Sequence, residues 1–353
     1  NHRKGFKAGA LNNLTDISKG DVIAILDADD IPERTFLTSC VSTLYSDNKI
    51  AFVQTRNAER NHGINNITGI GRLVRDLFFG AIMKSKDMRK LAIFCGSGGA
   101  IRKNVLQGLG GWPEDTVTED IDLSTIAFSK GYTSRFINPV ECRGMLPPTF
   151  TGLANQTFRW AYGTTRTLLL RWKEILKIHG FWRKTEHLLS CMTYILGPAL
   201  IAIDLIMVAH LLIGIPIFHM FETKTVWIFG ATLTLSSFFA LTFVQLRDGS
   251  VSIKRTINYI FAIYGLSINF TKAVIYAIFN KKFAFFRTPR TSAKKSNNFK
   301  LLRLYWMELG LGILSVYAAL TKIGDPLYTA QASWVLFFAV GFLSAPYFAF
   351  RYG

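Results

Sequence analysis

The 353-residue chain carries 41 Lys and Arg against 23 Asp and Glu, a formal net charge of +18. Such a charge first suggests nucleic acid, yet no basic run interleaved with aromatics matches a nucleic-acid module, and many Lys and Arg flank long apolar stretches instead. Cys40, Cys95, Cys142 and Cys191 lie too far apart for a local metal clip or a disulfide framework, which suits a reducing, cytosolic face.

Composition divides the chain near residue 187, so the hydrophobic fraction of 50% averages two unlike halves. In the first half, Phe6–Leu11 reads as the start of a helix with no strand ahead of it, and an N-terminal portion is expected to precede this segment. Val22–Leu26 is a continuous apolar run ending in Asp27-Ala28-Asp29-Asp30, the pattern of a strand buried on both faces with acids at its carboxyl end. Pro32-Glu33 opens a helix to about Tyr45, Ile50–Gln54 is a second buried strand, and residues 67–90 carry a helical pattern. Ile93 to Ile101 reads as a strand around a glycine-rich bend, followed by the turn Gly110-Gly111-Trp112-Pro113. Thr118 caps a helix to about Lys130, Ser134–Ile137 is a last short strand, and Thr149–Trp172 is a long helix. Alternating strands and helices predict a mostly parallel sheet with ligands at the carboxyl ends of its strands.

The second half holds five apolar stretches, about 188–212, 226–246, 256–279, 302–322 and 331–350, and about 20 apolar residues cross a bilayer. If all five crossed, the basic linker 280–303 would lie outside, against the positive-inside rule. Asn258, Ser267, Asn269, Thr271 and Lys272 make the third stretch the most polar, so it is expected to be an interfacial or re-entrant helix. The expected organisation is a soluble α/β domain over 1–165, interfacial helices over 166–187, and a membrane domain over 188–353 with four spans. Asp204 and Lys272 are polar groups in apolar stretches, expected to face protein or water rather than lipid.

Three segments carry chemistry. Asp27 and Asp29, two residues apart at a strand end, are hard oxygen ligands suited to Mg²⁺ or Mn²⁺ bridging a diphosphate; alternatively the segment is a polar turn in which Asp caps a helix. Thr118-Glu119-Asp120-Ile121-Asp122 places acids at a helix start, either as a capping box or as a general base for an attacking hydroxyl, with Asp120 preferred and Glu119 its nearest competitor. Gln156, Arg159 and Trp160 share one helical face, where Arg159 can take a departing diphosphate and Trp160 offers a platform for a sugar ring; alternatively Arg and Trp simply sit at headgroup level.

Together DxD, TED, QxxRW and the following apolar spans resemble the family-2 membrane glycosyltransferases of the cellulose synthase type, over nearly the whole chain. Lys7-Ala8-Gly9-Ala10 resembles the family's KAG segment, Phe94-Cys95-Gly96-Ser97 its FCGS segment, and Phe285–Arg290 is similar to its FxVTPK gating loop. The resemblance implies a GT-A-like (Rossmann-type) domain followed by transmembrane helices, with the gating-like loop near 280–300 on the cytosolic side. It also implies donor contacts at Lys7, Asp27, Asp29, Gln156, Arg159, Thr288 and Arg290, acceptor contacts at Phe94, Cys95, Gly96 and Trp160, and a metal on Asp27 and Asp29. Arg287 at the loop's valine position, Arg290 at its terminal lysine, and Thr157 where a basic residue is common depart from the glucan-synthase pattern. The implied activity is inverting, processive hexose transfer from a nucleotide sugar, UDP-glucose first, to a β-linked polysaccharide exported through the membrane domain. Implied partners are the nucleotide sugar, a polysaccharide or glycolipid acceptor, the lipid bilayer and accessory synthase subunits, at an inner or plasma membrane with the catalytic domain cytosolic. Two alternatives are transfer of one sugar to a lipid and an inactive scaffold or export partner.

Overall fold

The computed structural model of the protein describes residues 6–214, 223–247, 249, 251–281, 283 and 298–353. Helix α1 (Phe6–Ile17) leads into strand β1 (Val22–Ile25), the two-residue strand β2 (Ile31–Pro32), helix α2 (Phe36–Tyr45) and strand β3 (Ile50–Glu59). Helix α3 (Asn66–Leu77) widens into a π-helical turn at Phe78–Ile82 before α4 (Met83–Met88), so the helical pattern expected over 67–90 is one element with an irregular middle. Strand β4 (Gly99–Arg102), α5 (Lys103–Leu109), α6 (Glu119–Ser129) and β5 (Thr133–Gly144) complete the sheet domain, and α7 (Phe150–Lys177) leaves it.

Among the described residues five strands lie in the order β1-β4-β3-β5-β2, and only β3 and β5 pair in parallel. The mostly parallel sheet expected from strand-helix alternation is therefore corrected: β4 runs against both β1 and β3. The cause is the bend before β4, where Gly96 (φ +78) and Gly98 (φ +66) adopt left-handed backbone open to glycine. The chain thus re-enters the sheet from the end at which β1 and β3 leave it. Only Gly99–Arg102 of the expected strand at Ile93 to Ile101 joins the ladder. Pro32, expected to open a helix, instead pairs with Cys142 in the edge strand β2, a position where a missing N–H is tolerated. β5 continues past the expected Ile137 because Asn138–Val140 bulge out, and pairing with β3 resumes at Glu141 opposite Arg56.

β3 is buried on both faces, as its continuous apolar run requires. Phe52 packs with Phe94, Leu123 and Phe128 on one side, while Val53 packs with Phe36, Cys40 and Leu44 of α2 on the other.

Beyond α7, α8 (Phe181–Met192) passes through a short 3₁₀ turn into α9 (Leu196–Ile213), followed by α10 (Thr223–Arg247), α11 (Ile253–Gly265), α12 (Ser267–Ile278), α13 (Asn298–Leu304), α14 (Trp306–Leu320) and α15 (Thr329–Tyr352). Among the described residues, three helical stretches are long and apolar enough to cross a membrane: Phe181–Ile213, Ile253–Ile278 and Thr329–Tyr352, with shorter apolar helices at Gly230–Leu246 and Trp306–Leu320.

The two halves share one core. Ile67 and Ile70 of α3 and Phe150, Leu153 and Ala161 of α7 pack with Ala262, Phe270 and Ala273 of α11 and α12, Tyr305, and Phe348 of α15. Asn269 adds a bond from its carboxamide to the Ala154 carbonyl at 2.8 Å. Phe150 lies at the centre, its ring 5.6 Å from Phe348 and 6.0 Å from Tyr305. Removing so large a buried ring leaves a cavity, so Phe150→Ala is expected to cost about 3–5 kcal/mol. Thermal unfolding in detergent would show it as a lowered midpoint, and an unchanged midpoint would contradict the shared core.

Candidate active site

The site forms where β1 leaves the sheet and α6 begins. Lys7 on α1 donates to Asp27 Oδ1 at 3.0 Å and to the Gly96 carbonyl at 2.8 Å, and its Nζ lies 3.9 Å from Glu119. Burial opposes the charge on Lys7, but Asp27, Glu119 and Asp120 together outweigh it and raise the pKa. Asp120 lies against Gly96: a Cβ at that glycine would stand 3.1 Å from Asp120 Oδ2. Lys7, Asp27, Gly96, Glu119 and Asp120 are therefore one cluster, assembled from four segments.

The two candidate bases differ. Glu119 is 6% exposed; burial, then the neighbouring Asp120, pushes its carboxyl up to about 7. Asp120 keeps partial access to solvent, and its pKa is also raised by burial, against the opposing Ile121 N–H on Oδ1 at 2.8 Å. The acid that a ligand can reach is Asp120. The third acid, Asp122, is fully buried and holds Arg171 Nε at 2.7 Å, tying α6 to α7 where α7 kinks. It is a structural residue that sequence patterning groups with its neighbours.

The capping box considered for Thr118 does not form; among the described residues its hydroxyl has no hydrogen-bond partner. Thr118 packs instead on Gly163 of α7, where a Cβ would come within 2.3 Å of the Thr118 hydroxyl. That close approach sets α7 beside the start of α6. Arg159 and Trp160 lie about one turn before Gly163 and Gln156 about two, with Trp160 37% exposed and the other two half-buried. Burial lowers the Arg159 pKa from its usual value.

Asp27 and Asp29 do not leave a strand in step, because β1 ends at Ile25 and residues 27–30 form a turn. Asp30 closes it, its carboxylate accepting from Asp27 N at 2.8 Å. Asp27 faces Lys7 with 46% of its side chain exposed, while Asp29 Oδ2 accepts from Met145 N at 3.2 Å. Among the described residues no group of three His, Cys, Asp or Glu is arranged to hold a metal. Two hard carboxylates in an open turn nonetheless fit Mg²⁺ or Mn²⁺ held jointly with a diphosphate and water, the usual mode for Mg²⁺.

Of the expected acceptor residues, Phe94 is corrected: it is fully buried among Phe52 and Trp112, at 5.6 and 5.5 Å between rings, and offers no surface to a ligand. It anchors the loop of Cys95, which keeps partial access to solvent, and Gly96, which is buried under Asp120 and Lys7. Thr288 and Arg290 lie outside the described residues, as does the gating-like segment Phe285–Arg290. Phe283, just before it, packs on Phe158 and Tyr162 of α7, at 5.2 and 4.8 Å between rings. Gln54, which organises the Cys95–Gly98 loop from inside β3, had no signature in the sequence beyond a polar residue closing an apolar run.

An α/β sheet with acids gathered at one end is thus joined through a shared core to apolar helices. The chain belongs to the glycosyl transferase family group 2, whose model matches residues 22–246. It is 32% identical over 195 residues to a protein of Oryza sativa subsp. japonica named "Probable glucomannan 4-beta-mannosyltransferase 4", covering 54% of this chain and 36% of that one. It is 31% identical over 164 residues to a UDP-forming cellulose synthase catalytic subunit of Komagataeibacter sucrofermentans, covering 44% and 21% respectively. The chain thus spans about a third or less of the length of these relatives. A solved mannosyltransferase from Pyrobaculum calidifontis, in complex with GDP-Man and Mn²⁺, aligns at a TM-score of 0.42 and 16% identity, covering 78% of this chain and 67% of that one.

The raised acids predict a pH dependence of stability. A carboxyl at about 7 when folded and about 4.3 when unfolded binds more protons in the folded state between those values. Its contribution is full below about pH 4 and is lost as pH rises through about 7. Glu119→Gln is expected to flatten part of the fall in thermal midpoint between pH 5 and pH 8, Asp120 and Asp122 keeping the remainder. An unchanged slope would show that Glu119 is not a raised acid.

Proposed function

We propose that this chain is the catalytic part of a synthase that transfers a hexose, with inversion, from a nucleotide-sugar donor to a growing β-linked polysaccharide. The observation that carries the proposal is the partly exposed carboxylate of Asp120, desolvated beside Gly96 and balanced by Lys7, at the ligand end of the sheet. Burial raises the basicity of such a carboxylate toward that needed to take a proton from a sugar hydroxyl. Family membership supports transferase chemistry. The names of the relatives, a cellulose synthase and a glucomannan mannosyltransferase, support UDP-glucose as the first donor to test and GDP-mannose as the second.

In this account Asp120 accepts the proton of the attacking acceptor hydroxyl while the bond to the nucleoside diphosphate breaks on the opposite face of the sugar. Arg159 meets the charge developing on the leaving diphosphate, with Gln156 beside it as a neutral hydrogen-bonding head. Trp160, with 37% of its surface open, offers its ring to the acceptor sugar. Lys7 holds Asp27 toward the donor side and keeps Glu119 and Asp120 from repelling each other unopposed. A divalent cation on Asp27 and Asp29, when bound, supplies charge neutralisation to the diphosphate.

The membrane arrangement belongs to the same proposal: four crossings near 188–212, 226–246, 302–322 and 331–350, the polymer leaving among them, and the catalytic face cytosolic. Residues 256–279 lie at the interface in this arrangement, supported by the packing of α11 and α12 on α3 and α7 and by the bond from Asn269 to α7.

Asp120→Asn, which keeps shape and removes the base, is expected to lower sugar incorporation from UDP-glucose or GDP-mannose in membranes by roughly 10²–10⁴-fold. Incorporation near the wild-type level would reject Asp120 as the base. Excess EDTA should abolish incorporation and added Mg²⁺ or Mn²⁺ restore it; activity that survives chelation would count against Asp27 and Asp29 as metal ligands.

A further inference from the structure

The loop from Cys95 to Gly98 has few ladder bonds of its own, and one buried side chain takes the place of several. Gln54, fully buried on β3, accepts the Cys95 N–H on Oε1 at 2.8 Å. Its Nε2 lies 2.8 Å from the Ser97 carbonyl and 3.0 Å from the Gly98 carbonyl. Only a carboxamide offers an acceptor and two donors in one plane, whereas a carboxylate at this place would face two carbonyl oxygens. The Gly98 carbonyl is also held by the Thr55 N–H and hydroxyl, so Gln54 acts on the loop chiefly through Cys95 and Ser97. The loop is also pinned from α6: Ser124 Oγ accepts from Phe94 N at 3.0 Å and donates to the Asp120 carbonyl at 2.8 Å.

What the loop holds is the environment of Asp120. The Gly96 carbonyl accepts from Lys7, and the space above the Gly96 Cα is what Asp120 Oδ2 occupies. Gly99, next along the chain, leaves no slack: a Cβ there would sit 2.6 Å from the Phe94 ring and 2.7 Å from the Val53 carbonyl. A shift of about 1 Å at Gly96 would displace Asp120, whose carboxylate lies against it, while Lys7 keeps its own bond to Asp27, and misplacements of that size in a reacting constellation cost about 10²-fold in rate.

We propose that Gln54 is a positioning residue of the transfer reaction: through the Cys95–Gly98 loop it sets the place of Asp120 relative to the acceptor, without touching either. The proposal rests on the transferase function above. It differs from a purely structural role in predicting that donor binding survives while turnover does not.

The test uses the full chain in detergent or nanodiscs, as wild type, Gln54→Glu, Gln54→Leu and Ser124→Ala. Transfer from UDP-glucose and GDP-mannose is measured alongside titration with UDP and GDP, so that turnover is expressed per diphosphate-binding site. Both Gln54 variants are expected to bind the diphosphate with unchanged stoichiometry and affinity while turnover per site falls about 100-fold. Ser124→Ala, which leaves no buried charge and keeps the fold if the Gln54 variants fail to accumulate, is expected to lose about tenfold with binding likewise unchanged, since it frees one of the loop's pins. Turnover per site at the wild-type level, or diphosphate binding that falls in proportion to transfer, overturns the proposal. A wild-type protein that transfers sugar from neither donor overturns the transferase function and this inference with it.

Discussion

A single ammonium group holds the ligand end of the sheet together. Lys7 reaches from α1 to the DxD turn through Asp27, to the glycine loop through the Gly96 carbonyl, and to the start of α6 through Glu119. Glu119 and Asp120 are desolvated beside one another and near the more exposed Asp27, and the common cation makes the arrangement tolerable. α1 is itself held in place by Asn12, whose carboxamide bonds both Trp112 N and Trp112 O, at 2.7 and 3.0 Å. Trp112 packs on Phe94 beneath the same loop. Residues about a hundred positions apart in sequence thus converge on one cluster.

The second constraint is the contact between α6 and α7. Gly163 gives α7 room to approach Thr118, and the buried Asp122–Arg171 pair fastens the two helices further along. α7 is also the helix on which α12 and α15 pack, while α11 packs on α3 and α15. The helix bearing Gln156, Arg159 and Trp160 is therefore held by the sheet domain on one side and by the apolar helices on the other. Phe283 docks on the same helix between Phe158 and Tyr162, which ties the start of the segment after α12 to it.

Apolar continuity made the strands at Val22 and Ile50 legible, and hydropathy made the helical half legible, because both depend on local composition. The first of these strands, expected to be buried on both faces, is instead a half-exposed edge strand, because among the described residues only β4 pairs with it. The direction of β4 was not legible, since it depends on two left-handed glycines whose backbone angles carry no hydropathy signal. The length of β5 was hidden by Asn138-Pro139, which reads as a stop but is a bulge. Motif spacing singled out Asp27, Asp120 and Arg159 as candidates, yet it does not separate exposed Asp27 from Asp29 turned to the Met145 N–H, or Asp120 from the buried Asp122 that pairs with Arg171. Phe94 was assigned to a ligand because it stands in a motif, when its ring belongs to the core. Gln54 and Ser124 act through main-chain bonds that only the folded loop reveals.

The central claim is that a base on one side of the sugar and a leaving diphosphate on the other act in one displacement. The most direct measurement is the anomeric configuration of the first linkage formed from an α-linked nucleotide sugar, read by proton NMR before further turnover. A β linkage is the predicted result. An α linkage would contradict the account, because it requires a second displacement in which Asp120 is not the base for the acceptor.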